Sequence, residues 1–170
     1  MNGRKKILAL IEGSLCIAVA AVLTKLNLFR MPQGGSVDLE LVPIILFACR
    51  HGTKWGMAAG AVSGIVNILL GSGIFNFVEA ILDYPLAYSF VGLAGIKYKI
   101  LGLICACFCQ LTCHVTAGVM FFAEYAPAGQ SPFVYSLVYN SPVIVVKYVL
   151  SGLIAYFLSN AIEAALPSDK

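Results

Sequence analysis

The stretch KILGLICACFCQLTCHVTAGVMFFA, Lys99 to Ala123, decides the fold: after Lys99 it carries no charged side chain, and it is long enough to cross a bilayer core as one helix. A spanning helix uses about 20 mostly apolar residues, because it rises about 1.5 Å per residue through a hydrocarbon layer about 30 Å thick. The periodicity predicts this helix over 99 to 123, and apolar runs of the same kind flank it. They lie near 7 to 26, 39 to 50, 55 to 71, 76 to 96 and 132 to 164, separated by Gly, Pro and charged breaks. The chain is 60% hydrophobic and 11% charged, against roughly 25% charged for a soluble domain, and its mean hydropathy is +0.90. Such a supply cannot cover a water-soluble surface. The expectation is an all-α integral membrane protein, a six-transmembrane-helix bundle forming a single domain over 1-170 and embedded in a lipid bilayer.

Orientation follows from charge. Arg4-Lys5-Lys6 before the run Ile7 to Leu23 imitates a signal peptide, but Glu12 interrupts that run and no small-residue cleavage site follows, so the segment is read as a retained first helix. With a cytoplasmic N-terminus, Arg4, Lys5, Lys6, Arg50, Lys54, Lys97 and Lys99 fall inside and only Lys25 and Arg30 outside, the positive-inside bias. Six crossings return the C-terminus to the cytoplasm of a multi-pass cell-membrane protein. The formal net charge of +3 is thereby explained by topology and does not point to nucleic acid. Asp38, Glu40 and Glu124 lie in or beside predicted outer loops, which makes the outer face the cation-attracting side. The first outer loop, Phe29 to Asp38, is rich in turn formers and reads as a lid.

Ionisable residues inside a span cost roughly 2.5 to 3.5 kcal/mol on insertion scales, so each needs a partner or a purpose. Glu79 and Asp83 are spaced i, i+4 on the fourth helix, followed by Tyr84 and Pro85. On the fifth helix Gln110, His114, Gly118 and Phe122 recur every four residues and form one stripe, in which Gly118 either leaves room for a flat ligand or serves a close helix contact. The sixth helix supplies Tyr135, Tyr139 and Asn140. Pro142 would kink that helix or mark its true start, and Lys147 beyond it reads as reaching toward an interface or an interior polar partner. In the proposed topology the three clusters meet near the outer surface. Carboxylates, aromatic faces, an imidazole and an amide together describe a pocket for an aromatic, nitrogen-rich cation.

Cys105, Cys107, Cys109 and Cys113 sit inside one apolar run without CxxC spacing, and read as packing residues. No phosphate-binding Gly-rich loop, His-x-x-x-His pair or Gly-x-Ser-x-Gly elbow is present, and neither a cofactor nor a metal is expected. Uphill transport would therefore draw on an ion gradient or a partner ATPase.

Several stretches carry a family resemblance: Ile11-Glu12-Gly13, Met31-Pro32-Gln33-Gly34-Gly35-Ser36-Val37, Pro43-Ile44, Asp83-Tyr84-Pro85-Leu86-Ala87-Tyr88, and Tyr135-Ser136-Leu137-Val138-Tyr139-Asn140. In this order they resemble the thiamine-specific substrate-binding (S) component of energy-coupling factor (ECF) transporters. The resemblance implies an S component that captures thiamine, its phosphates or its precursors from outside. It also implies docking on an ECF module of one transmembrane coupling protein and two ATPases. By the same resemblance Asp83 meets the aminopyrimidine with Tyr84 beside it, His114, Gly118 and Phe122 form the ligand stripe, and Tyr135 and Asn140 complete the site. Phe122 stands where a tryptophan is familiar in the family, Asp83 where some relatives have glutamate, and Gln110 where a lysine can occur. Ser14 and Ala18 on the first helix give a small-xxx-small spacing suited to a partner helix.

Two other classes compete with vitamin capture. An ion- or proton-coupled carrier for a cationic small molecule would work without an ATPase, but the chain has no internal repeat to rock against another. A membrane enzyme using His114 with Glu79 or Asp83 lacks an accompanying nucleophile or metal cluster.

Overall fold

The computed structural model describes residues 3–32 and 35–165; Gln33 and Gly34 of the first-loop motif, and both chain ends, lie outside them. Six helices account for most of the described chain: α1 (Gly3–Leu23), α2 (Leu41–His51), α3 (Thr53–Leu69), α4 (Phe77–Gly95), α5 (Lys99–Phe121) and α6 (Pro132–Ala165). Each falls within a few residues of its predicted run. Between α1 and α2 the first loop folds back as a small antiparallel pair, β1 (Phe29–Arg30) and β2 (Ser36–Val37), with Phe29 opposite Val37. No strand is evident in the sequence there.

Four helices, α1, α4, α5 and α6, have the length and hydropathy to cross a membrane. The other two are shorter. At 11 residues, α2 covers only roughly 16 Å at 1.5 Å per residue, about half a bilayer core. Only Gly52 separates it from α3, and φ there is +87°, a conformation that side-chain-bearing residues rarely adopt. Burial is inverted relative to a soluble protein. Ile7, Leu10, Ile11, Leu15, Val19 and Val22 of α1 are exposed, as are Ile100, Ile104 and Phe108 of α5. The interior is instead rich in alanine, including Ala20, Ala48, Ala87, Ala94, Ala106 and Ala155. A greasy exterior over a small-residue interior is what lipid contact and close helix approach require.

The fourth helix is not a regular α-helix. It begins with an α-turn, Phe77–Ile81, widens to a π-helical segment, Leu82–Leu86, and closes through Ala87–Ser89 into the 3₁₀ turns Phe90–Gly95. Pro85 lacks the N–H that a regular helix would use, and the wider π turn accommodates it. The α3 stripe Gly56, Gly60 and Gly64 lets this backbone approach closely: a Cβ on Gly60 would meet the Tyr88 carbonyl oxygen at 2.1 Å, and one on Gly64 the Tyr84 carbonyl carbon at 2.5 Å. The sequence Asp83-Tyr84-Pro85 is therefore held by backbone contact at one depth.

The sixth helix runs through Pro142 without ending, so the proline does not mark its start. Lys147 is buried inside the bundle. Asp38 and Glu40, expected at the outer surface, are buried too, because both pair with Lys147.

Candidate ligand-binding site

A cavity of about 610 Å³ opens at the end of the bundle where α1 and α3 finish, α4 begins, α5 finishes and α6 begins. Glu79, Asp83, Tyr84, Gln110, His114, Gly118, Phe122, Tyr135 and Asn140 all line it. The i, i+4 stripe of α5 forms one wall, the π segment of α4 the next, and the first turns of α6 the third.

One hydrogen-bonded relay crosses two of these walls. Tyr148 donates its hydroxyl to Gln110 Oε1 at 2.7 Å, which turns the Gln110 amide nitrogen toward His114 Nε2, a long contact at 3.5 Å. His114 Nδ1 lies 2.8 Å from Asp83 Oδ1. With the Gln110 amide nitrogen directed at Nε2, Nδ1–H is the donor to the carboxylate. Asp83 keeps an oxygen that His114 does not occupy. That is the group a cation would meet.

Glu79 and Asp83 do not act as a pair. The Glu79 carboxylate closes a capping box, with Oε2 accepting from Phe75 N–H at 2.9 Å and Asn76 N–H at 3.5 Å, while Asn76 caps the same turn through Val78 and Glu79 N–H. Glu79 thus secures the start of α4 and leaves Asp83 to face the cavity. Tyr84 donates to the Gly73 carbonyl at 3.3 Å and ties the loop after α3 to the wall. Phe122 meets Phe75 edge-on, with ring centroids 5.6 Å apart, and Tyr125 at 6.2 Å. Tyr135 packs beside Tyr139 at 5.8 Å.

Gly118 serves a helix contact. A Cβ there would sit 2.0 Å from Ser136 Oγ and 2.9 Å from Ser136 Cβ, so the missing side chain lets α6 approach, and the residue also lines the cavity. Ser136 donates to the Val115 carbonyl at 3.2 Å, and Asn140 Nδ2 donates back to the Ser136 carbonyl at 2.9 Å. The Asn140 amide oxygen remains as the acceptor of that arrangement.

The structure adds residues that the sequence reading did not place in the site. Glu40 lines the cavity and is buried, and four donors surround it. Tyr88 and Lys147 donate to Oε1; Thr24 and Asn67 donate to Oε2 at 2.6 and 2.8 Å. Lys147 also reaches Asp38 at 3.1 Å, and Asp38 accepts from Ser36 Oγ at 2.8 Å and Glu40 N–H at 3.1 Å. Asn67, the one amide of α3, was the available signal. Without contacts it could not be joined to Glu40 and Lys147.

Ser14 and Ala18 are not near this cavity. Both are exposed on α1, and the Ser14 hydroxyl turns back to the Leu10 carbonyl at 2.9 Å, leaving a shallow, apolar strip.

Comparison with known proteins places this geometry in a family. The sequence profile of the family described as "Thiamine transporter protein" matches residues 10–166. The chain is 31% identical over 191 aligned positions to Thiamine transporter ThiT of Bacillus subtilis, covering all of both chains. It is 30% identical over 162 positions to Thiamine transporter ThiT of Lacticaseibacillus paracasei, covering 82% of this chain and 81% of that one. Its fold is similar to a solved structure of ThiT from Listeria monocytogenes, with a TM-score of 0.83 and 26% identity over 92% of this chain and 96% of that one.

Proposed function

The chain belongs to the thiamine transporter protein family, a family of transporters and not of enzymes, and from that premise we propose that its cavity captures thiamine at the outer face of the cell membrane. The observation that carries the reading is the convergence of Asp83, His114 and the aromatic residues Tyr84, Phe122 and Tyr135 on one cavity at the end of the bundle away from Arg50, Lys54, Lys97 and Lys99. Asp83 supplies the anionic acceptor for the aminopyrimidine. The ring faces supply a surface for the thiazolium, with phenylalanine a weaker cation partner than indole.

In this reading all six helices cross the bilayer as a single domain, with both termini in the cytoplasm. The largely buried segment 36–40 leads from the first loop into α2. The chain acts as the S component of an ATP-driven ECF importer, because it carries no nucleotide-binding loop of its own. The exposed strip at Ser14 and Ala18 is where a helix of the coupling protein would approach.

Calorimetry on the purified protein tests the binding half. Thiamine should bind to the native protein and lose about 10- to 100-fold in affinity in Asp83→Asn or His114→Ala, the size of a lost hydrogen bond to a charged group. Absence of binding, or binding indifferent to both substitutions, would reject this site. Titration with thiamine phosphates and precursors ranks the ligands. A carrier working alone would instead take up thiamine in proteoliposomes lacking any ATPase. The buried carboxylates offer it little support, since Asp38 and Glu40 are both engaged by Lys147.

A further inference from the structure

The polar hub at Asp38, Glu40 and Lys147 has an unbalanced charge. Every hydrogen bond that Asp38 receives is donated to it, by Ser36 Oγ, Glu40 N–H and Lys147 Nζ. The same holds for Glu40, whose four partners are the Tyr88 and Thr24 hydroxyls, the Asn67 amide and Lys147. The Ser36, Thr24 and Tyr88 hydroxyls can donate or accept, but each carboxyl oxygen also faces a group that can only donate, Glu40 N–H and Lys147 Nζ at Asp38, Lys147 Nζ and the Asn67 amide nitrogen at Glu40, and this favours the carboxylate form of both. One ammonium then faces two carboxylates. The hub keeps one net negative charge, with Asp38, Glu40 and Lys147 all buried, and Glu40 and Lys147 line the cavity.

An uncompensated charge in a poorly polarisable interior is unfavourable, and a cation entering the adjoining cavity relieves it. We propose that this net charge makes Glu40 a specificity-determining residue: together with Asp38 and Lys147 it selects ligands with a permanent positive charge over neutral ligands of the same shape. The inference rests on the thiamine reading above and adds the residues that sense the thiazolium charge. It assigns Asp83 and the hub different tasks. Asp83 with His114 reads the hydrogen-bonding edge of the ligand, while the hub reads its charge without touching it.

The test compares thiamine with 3-deazathiamine, in which carbon replaces the quaternary nitrogen and the ring is neutral, by calorimetry on the purified full chain. The native protein should prefer thiamine by tenfold or more. Glu40→Gln keeps the shape of the hub while removing its net charge. It should weaken thiamine about tenfold (~1.4 kcal/mol) and leave deazathiamine within about threefold, so the preference shrinks. Asp38→Asn removes the same charge from the other carboxylate and should shrink the preference likewise. Equal losses for both ligands, or an unchanged preference in both variants, would overturn the proposal. If both variants fail to fold, the native comparison decides: equal affinity for the two ligands overturns it. Failure of the native protein to bind either ligand would instead reject the thiamine reading itself.

Discussion

Replacing Gly118 by alanine tests whether the α5–α6 contact sets the shape of the cavity. In an unconstrained helix the change is favourable by about 1 kcal/mol, because glycine loses more backbone entropy than alanine. Here the added Cβ would stand 2.0 Å from Ser136 Oγ and 2.9 Å from Ser136 Cβ. Rotating the hydroxyl relieves the first clash but not the second, so the two helices must separate. Overpacking of this kind typically costs about 1–3 kcal/mol, which outweighs the helix gain and leaves a net loss of up to roughly 2 kcal/mol. Ser136 holds Asn140 through its carbonyl at 2.9 Å and its hydroxyl at 3.3 Å, so the shift moves a cavity residue as well. Thermal unfolding of purified Gly118→Ala should therefore come earlier than for the native chain, and thiamine affinity should fall at least tenfold. The double variant Gly118→Ala, Ser136→Gly removes the obstacle and should recover most of the lost stability. A Gly118→Ala protein that unfolds later than the native one and binds thiamine normally would refute the contact.

Three further outcomes follow from the same geometry. Lys147→Met leaves two buried carboxylates without their cation and should destabilise the fold by about 3–5 kcal/mol; unfolding in detergent checks it, and adding Glu40→Gln should restore part of the loss. Tyr148→Phe removes the hydroxyl that orients Gln110 and leaves the buried Oε1 without that donor, which should cost about 1–3 kcal/mol of stability and a few-fold in thiamine affinity; unchanged affinity would remove Gln110 from the relay. Ser14→Leu with Ala18→Leu should abolish co-purification with an ECF module while calorimetry shows undiminished thiamine binding, and a complex that survives both leucines would put the docking face elsewhere.

Helix positions were readable because hydropathy alone locates a bilayer-length run, and the stripe from Gln110 to Phe122 follows from four-residue spacing. The hub was not readable. Asp38 and Glu40 precede an apolar run and look like loop carboxylates, while Lys147 lies more than 100 positions away, at 107 and 109 residues' separation. Nothing local marks a pairing across such a distance. The same limit applied to Gly118, where one residue type serves a ligand gap and a helix contact equally well, and only the position of Ser136 shows the contact. Glu79 was legible as a polar residue at membrane depth, but its task as a capping group depended on Asn76 three positions earlier.

The short second helix and the buried hub are two sides of one constraint. In the proposed six-crossing arrangement, a chain that reaches Leu41 without a helix above it must bring non-helical backbone into the bundle, and lipid cannot satisfy that backbone's polar groups. Asp38 does so from within, accepting Glu40 N–H at 3.1 Å, while Lys147 binds both carboxylates. Non-helical chain at membrane depth is tolerated where it is enclosed by protein or lines a cavity, and the segment from Ser36 to Glu40 meets that condition. The residues that let the first loop enter the bundle are thus the ones that charge its cavity, so loosening the loop by mutating Lys147 should alter ligand selectivity and stability together.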